Sequence, residues 1–345
     1  MNGLGIEGHD NRMLASRNTN GTEHIVGTGY LGTVKQDTEV NLTGGEIYGS
    51  VYGGGKGTSA VAADIGSTLL PAPPVLGGNT AVYLNGSTAT GATNDCKVRG
   101  NIFGCNNING TPKGHALVHI YKTVGYDDSH KKSAAKDNTT YDVAAVYGGG
   151  NMAAYEPTIT DANIATTYSE VIIDGCDLTS IQYVYGGGNA ASAPATYVKV
   201  NGTYEIGTVF GGGNGKDALP NGDPNPGAHV GYKAANFTPD PNKTAEENEE
   251  ALNAAFEAQK SSLVYGTGNA NVYLYGGTIH NAFGASNTKG VIAGKAEVHV
   301  DEKKYTSGEN TGKVICPLVL DELYGGVTRP IWKAARISTW AVLPL

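Results

Sequence analysis

The chain has 345 residues, among them 51 Gly and 20 Tyr but only 3 Met and 2 Trp, and its formal net charge is −8. A composition so rich in turn formers and so poor in long helix formers excludes a helical bundle and points to an all-β repeat protein. The acidic balance, with no run of Lys or Arg to offset it, excludes nucleic acid as a partner, because phosphate binding needs a basic footprint.

Residues 1–24 form an N-terminal segment with no apolar h-region, and no stretch of the chain is apolar enough for a membrane-spanning helix. Taken literally this is a soluble chain with no membrane insertion. The alternative expectation is a fragment whose export signal and anchor lie outside it. From Ile25 to residue 326 one phrase returns. Val51-Tyr52-Gly53-Gly54-Gly55-Lys56, Val146-Tyr147-Gly148-Gly149-Gly150-Asn151, Val184-Tyr185-Gly186-Gly187-Gly188-Asn189 and Val209-Phe210-Gly211-Gly212-Gly213-Asn214 are close copies. Weaker ones are Ile102-Phe103-Gly104-Cys105-Asn106, Val264-Tyr265-Gly266-Thr267-Gly268-Asn269, Ala282-Phe283-Gly284-Ala285-Ser286-Asn287 and Leu323-Tyr324-Gly325-Gly326. Their aromatic residues lie 18 to 55 positions apart, so a short constant unit is separated by loops of variable length.

The shortest interval, Tyr265 to Phe283, shows the unit. Val272 and Leu274 alternate with Asn271, Tyr273 and Tyr275, Gly276-Gly277 turns the chain, and a second strand over 279–283 leads into the next glycine corner. Residues 39–52 and 197–210 repeat that order. One unit cannot bury its apolar side chains. Units stacked about 4.8 Å apart share one interior column, which predicts a single-stranded parallel β-solenoid, read as a right-handed β-helix with loop insertions. Glycine suits the corners because positive φ costs it little and because a Cβ would crowd the neighbouring coil. The asparagines Asn151, Asn189, Asn214, Asn269 and Asn287 tolerate the same conformation and are placed to stack as an amide ladder.

The largest insertion runs from 215 to 262. Its first half is Pro-rich and irregular, whereas 244–260 reads as one short helix, with Thr244 and Glu247 at capping-box spacing and Leu252, Ala255 and Phe256 on one face. That face predicts packing along the side of the solenoid. Val314 to Leu320 reads as a further strand, and residues 327–345, with Trp332 and Trp340, as a tail or a cap.

The phrase Val-Tyr-Gly-Gly-Gly-Asn, preceded by a strand and by Gly-Gly-x-Ile as at Gly276-Gly277-Thr278-Ile279, resembles the glycine-rich repeats of large surface proteins of gut Bacteroidetes. More loosely it is similar to the β-helical passenger regions of adhesins and autotransporters. The resemblance implies an exported, cell-surface stalk or adhesin segment. It defines no catalytic residue.

No cofactor is expected. The glycine corners are not followed by Gly-Lys-Ser/Thr and open no helix, so they are not phosphate loops, and Asp is missing from the places a calcium-binding nonapeptide needs. No metal site is expected either, since the cysteines lack a Cys-x-x-Cys pair and His115 and His119 sit on a strand. Cys96 and Cys105 are close enough for a disulfide, with isolated buried thiols as the equal alternative, and Cys176 and Cys316 show no obvious partner.

With Val82, Val118, Val198, Val272 and Val298 inward, the outward neighbours include Tyr83, His119, Lys199, Tyr273 and His299. The next outward places hold Asn85, Tyr121, Asn201, Tyr275 and Asp301. With Tyr197 these tyrosines make a candidate stripe for holding a glycan by ring stacking and hydrogen bonding. The bland reading is that Tyr and polar residues are favoured cross-strand neighbours on any exposed sheet. The expected partners are glycans or host and cell-surface proteins, with end-to-end self-association if the array is truncated. The alternatives are a carbohydrate-active β-helix enzyme using paired carboxylates, and a spacer with no ligand.

Overall fold

The computed structural model describes residues 15–17, 23–25, 34, 36–66, 78–86, 95–123, 141–215, 219 and 222–326. Two short strands, β1 (Ala15–Arg17) and β2 (Glu23–Ile25), pair antiparallel. Among the described residues from Thr38 to Tyr324 all pairing between strands is parallel, and it builds two seven-stranded sheets. The first sheet contains β3 (Thr38–Leu42), β6 (Thr80–Leu84), β9 (Ala116–Ile120), β11 (Ser169–Asp174), β13 (Thr196–Gly202), β15 (Ala270–Leu274) and β17 (Ala296–Val300). The second contains β5 (Val51–Tyr52), β8 (Asn101–Phe103), β10 (Val143–Tyr147), β12 (Ser180–Tyr185), β14 (Glu205–Phe210), β16 (Gly277–Phe283) and β18 (Leu318–Tyr324). A short parallel pair, β4 (Glu46–Ile47) with β7 (Lys97–Val98), lies between them in sequence. The chain therefore visits the two sheets in turn, in seven circuits.

Register follows the alternation read from sequence. Val82, Val118, Val171, Val198 and Val272 stand in one column and are fully buried against Val146, Val184 and Val209 of the second sheet. Burying each such side chain is worth about 1.5–3 kcal/mol, so the interior columns are the main source of cohesion. At the strand starts the interior is polar and satisfied. Buried Thr80, Ser169 and Thr196 donate to the carbonyls of Gly104, Gly186 and Gly211 at 2.6, 2.7 and 2.6 Å.

The corner glycines are required, but not for φ. None of Gly53, Gly54, Gly148, Gly149, Gly186, Gly187, Gly211 and Gly212 has positive φ. A Cβ on Gly148, Gly186 or Gly211 would sit 2.4, 2.3 and 2.3 Å from the carbonyl oxygen of the next circuit's corner. Crowding alone selects glycine here, because the backbone ladder continues through the corner, as in Gly187 N to Gly212 O at 3.0 Å.

The amide ladder forms. Asn151, Asn189, Asn214 and Asn287 each donate Nδ2 to the Oδ1 of the preceding member at 2.9, 2.9, 2.7 and 2.9 Å, and the first acceptor is Asn107, not Asn106. Beside it, Tyr52, Phe103, Tyr147, Tyr185, Phe210, Phe283 and Tyr324 stack with centroids 4.6 to 5.1 Å apart. Tyr265 and Asn269 are the exception to the expected pattern. Gly266 and Gly268 have φ of +80° and +69°, Val264 bridges antiparallel to Tyr232, and Asn269 Oδ1 accepts from the Lys295 N–H at another corner. Val314 likewise stands outside β18, in an antiparallel bridge to Lys304.

The inserted helix, α1 (Ala245–Gln259), has the predicted capping box: Glu247 N–H donates to Thr244 Oγ1 and Thr244 N–H to Glu247 Oε2. Leu252 and Phe256 are buried, and Phe256 stacks on His229 at 4.1 Å. His229 Nε2–H donates to Pro226 O and Nδ1 accepts from Val291 N–H, so the docked ring is neutral. Burial, aided by Lys289 and Lys260 and opposed by the Pro226 contact, lowers its pKa to about 4. In the unfolded chain the ring protonates near pH 6.5; in the native protein it does so only near 4, so stability falls as pH drops between those values. By pH 5 the loss is about 2 kcal/mol. Amide exchange across 245–259 should accelerate over that range in the native protein and not in a His229→Gln variant.

One pair of cysteines departs from expectation. Cys176 and Cys316 form a disulfide with Cα atoms 6.0 Å apart, and Cys96 and Cys105 are buried free thiols. The bridge passes beside Gly202, where a Cβ would meet both Cys176 and Cys316 at 3.0 Å. It ties the end of β11 in the fourth circuit to the segment before β18 in the seventh.

Candidate functional site: the outer face of the first sheet

The outward column of the first sheet runs Tyr83, His119, Ile172, Lys199, Tyr273, His299. The expected stripe is thus in register, but Ile172 interrupts it in the fourth circuit. Two aromatic groups result. At the N-terminal side Tyr83 lies 6.3 Å from His119, which stacks on Tyr121 at 4.0 Å. At the C-terminal side a band crosses from His115 through Tyr168, Tyr197 and Tyr273 to Tyr275 and His299, with centroids 4.5 to 6.1 Å apart. Tyr197 stands in the neighbouring column, opposite Glu170 and Asn271.

The five tyrosines of the stripe, Tyr83, Tyr121, Tyr197, Tyr273 and Tyr275, are all partly exposed. Burial, then the phenols of Tyr273, Tyr275 and Tyr168, push Tyr197 up to about 12, and burial followed by Tyr273 and Asp301 also raises Tyr275. The Tyr197 and Tyr275 hydroxyls therefore remain donors at neutral pH. Polar groups frame the rings: His115 Nε2 meets Glu170 at 2.9 Å, His119 Nε2 meets Asp174 at 2.6 Å, and the Lys303 ammonium lies 4.4 Å from the Tyr275 centroid. The five tyrosines named from the sequence lie partly exposed on the outer face; Tyr168, whose position just before β11 hid it, was not among them. The sequence named no partner for His115 or His119; each meets a carboxylate on the next circuit.

The second sheet holds one further cluster that sequence did not show. His280 Nδ1 meets Asp321 Oδ2 and Nε2 meets Glu205 Oε1, both at 2.7 Å. Burial lowers the imidazole pKa, but the two carboxylates outweigh it and the net direction is upward. An imidazolium clasped between two carboxylates joins the last three circuits. Among the described residues no three His, Cys, Asp or Glu side chains converge as metal ligands, and no helix is long and apolar enough to cross a membrane. Asp127 and Asp128, an adjacent acidic pair in the sequence weighed for carbohydrate acid–base chemistry, lie outside the described residues. In comparisons with known proteins the chain matches no family model, no curated protein and no solved structure.

Proposed function

We propose that this chain is a non-enzymatic segment of an exported, cell-surface protein, wound as a right-handed parallel β-solenoid, that binds glycans on the outer face of its first sheet. The observation that carries the reading is the Tyr168–Tyr197–Tyr273–Tyr275 band, a row of half-exposed rings along a flat sheet. Sugar rings stack on such faces while hydroxyls and the flanking Glu170, Lys199 and His299 supply hydrogen bonds. The alternation of two parallel sheets supports the solenoid, and the strong preference of parallel crossovers for the right hand supports its handedness. The Cys176–Cys316 disulfide supports an oxidising, extracytoplasmic setting, in keeping with the resemblance to surface repeats.

A glycan array probed with the full chain tests this. Selective binding is expected, and Tyr273→Ala should weaken it about tenfold, the equivalent of roughly 1.4 kcal/mol for one lost stacking platform. Tyr83→Ala should weaken it less, because Tyr83 belongs to the smaller group. Unchanged binding by a folded Tyr273→Ala protein would remove the band from the site. Silence from a folded wild-type protein would leave the spacer reading.

A further inference from the structure

Three side chains from different circuits meet at the C-terminal edge of the first sheet. Lys303, just beyond β17, reaches back across the sixth circuit, its ammonium over the Tyr275 ring, and contacts Asn201 Oδ1 in the fifth. Asn201 Nδ2 donates to Asp174 Oδ1 of the fourth circuit at 2.6 Å. The other Asp174 oxygen is held by His119 at 2.6 Å. A carboxamide is thus gripped at both ends, with an amine nitrogen at its carbonyl and a carboxylate at its amide nitrogen.

We propose that Lys303 and Asn201 join in an intramolecular isopeptide bond, with Asp174 carrying the proton. Lys303 Nζ, once its ammonium has given a proton to solvent, attacks Asn201 Cγ. A new Nζ–Cγ bond forms, the Cγ–Nδ2 bond breaks, and a proton from Nζ passes through the Asp174 carboxylate to Nδ2, which leaves as ammonia. Nothing is oxidised or reduced, and no co-reactant is needed. The electrostatics favour the roles: burial and then Lys199 lower the Lys303 pKa against the pull of Asp174, while the His119 contact, ahead of that from Asn201, keeps Asp174 ionised against burial. The bond would strap the fifth circuit to the seventh, beside the disulfide that straps the fourth to the same segment.

The test is mass spectrometry of the purified, reduced full chain. Its mass should fall short of the sequence by one ammonia, and a tryptic digest should contain residues 200–216 joined to residues 296–304. Asn201 precedes Gly202, so a succinimide at that pair would also release ammonia. That product leaves no joined peptide and does not depend on Lys303. Lys303→Arg and Asp174→Asn should each restore the full mass. A full mass in the wild type, or ammonia loss that persists in Lys303→Arg, overturns the proposal; loss that persists only in Asp174→Asn overturns the role of the carboxylate.

Discussion

Gly186→Ala is expected to destabilise the protein by more than about 3 kcal/mol, at the upper end of what overpacking costs. The added methyl would stand 2.3 Å from Gly211 O, 2.9 Å from Thr196 Cβ and 3.1 Å from Val198 Cγ2. No side-chain rotation relieves the first contact. The oxygen belongs to backbone that already accepts from Thr196 Oγ1 at 2.6 Å, and Gly186 N–H itself donates to Phe210 O at 3.0 Å. Moving the circuits apart would break both sheets locally. Gly45→Ala is the control. Gly45 has φ +82° and nothing within 4 Å of its Cβ position, so its replacement should cost only about 1 kcal/mol, through left-handed backbone alone. Urea denaturation of the two variants separates the causes. If Gly45→Ala proved the more damaging, crowding would not be what selects the corner glycines.

That contrast also shows what the sequence carried and what it did not. Period-2 alternation marked the interior valines and the outward tyrosines, because a strand obliges one face to be apolar once the other meets solvent. The repeated aromatic-glycine phrase marked the second sheet. It misplaced Tyr265, since a Gly-x-Gly-Asn turn built on positive φ and a crowded corner built on negative φ are spelled almost alike. Ile172 was invisible as a break in the stripe because its neighbours Val171 and Ile173 already satisfied the inward pattern. The His280 clasp and the Lys303 contact depend on which loop stacks over which, and sequence spacing says nothing about stacking when loops vary in length. Cys176 and Cys316 are separated by 140 residues and meet only because the two intervening circuits are laid down in order.

Loss of that disulfide should be the second large effect. Closing a loop of this length removes about 5 kcal/mol of unfolded-state entropy, so a Cys176→Ser, Cys316→Ser protein should lose stability on that scale. The loss should be concentrated in the last circuit. β17 and β18 are the least covered strands, with Val300, Val319, Leu323 and Tyr324 all exposed by more than 40%. Amide exchange should therefore rise first there, while β11 to β14 remain protected. The same measurement bears on the Lys303–Asn201 bond, because the two straps overlap. With the isopeptide in place, the disulfide closes only the chain between the two crosslinks, and its removal should cost about 4 kcal/mol; in Lys303→Arg it should cost about 5. Removing both should open β17 and β18 together and leave the amide ladder from Asn107 to Asn214 intact. Equal costs in the two backgrounds, with exchange rising uniformly along the sheets, would show that neither strap holds the seventh circuit in particular.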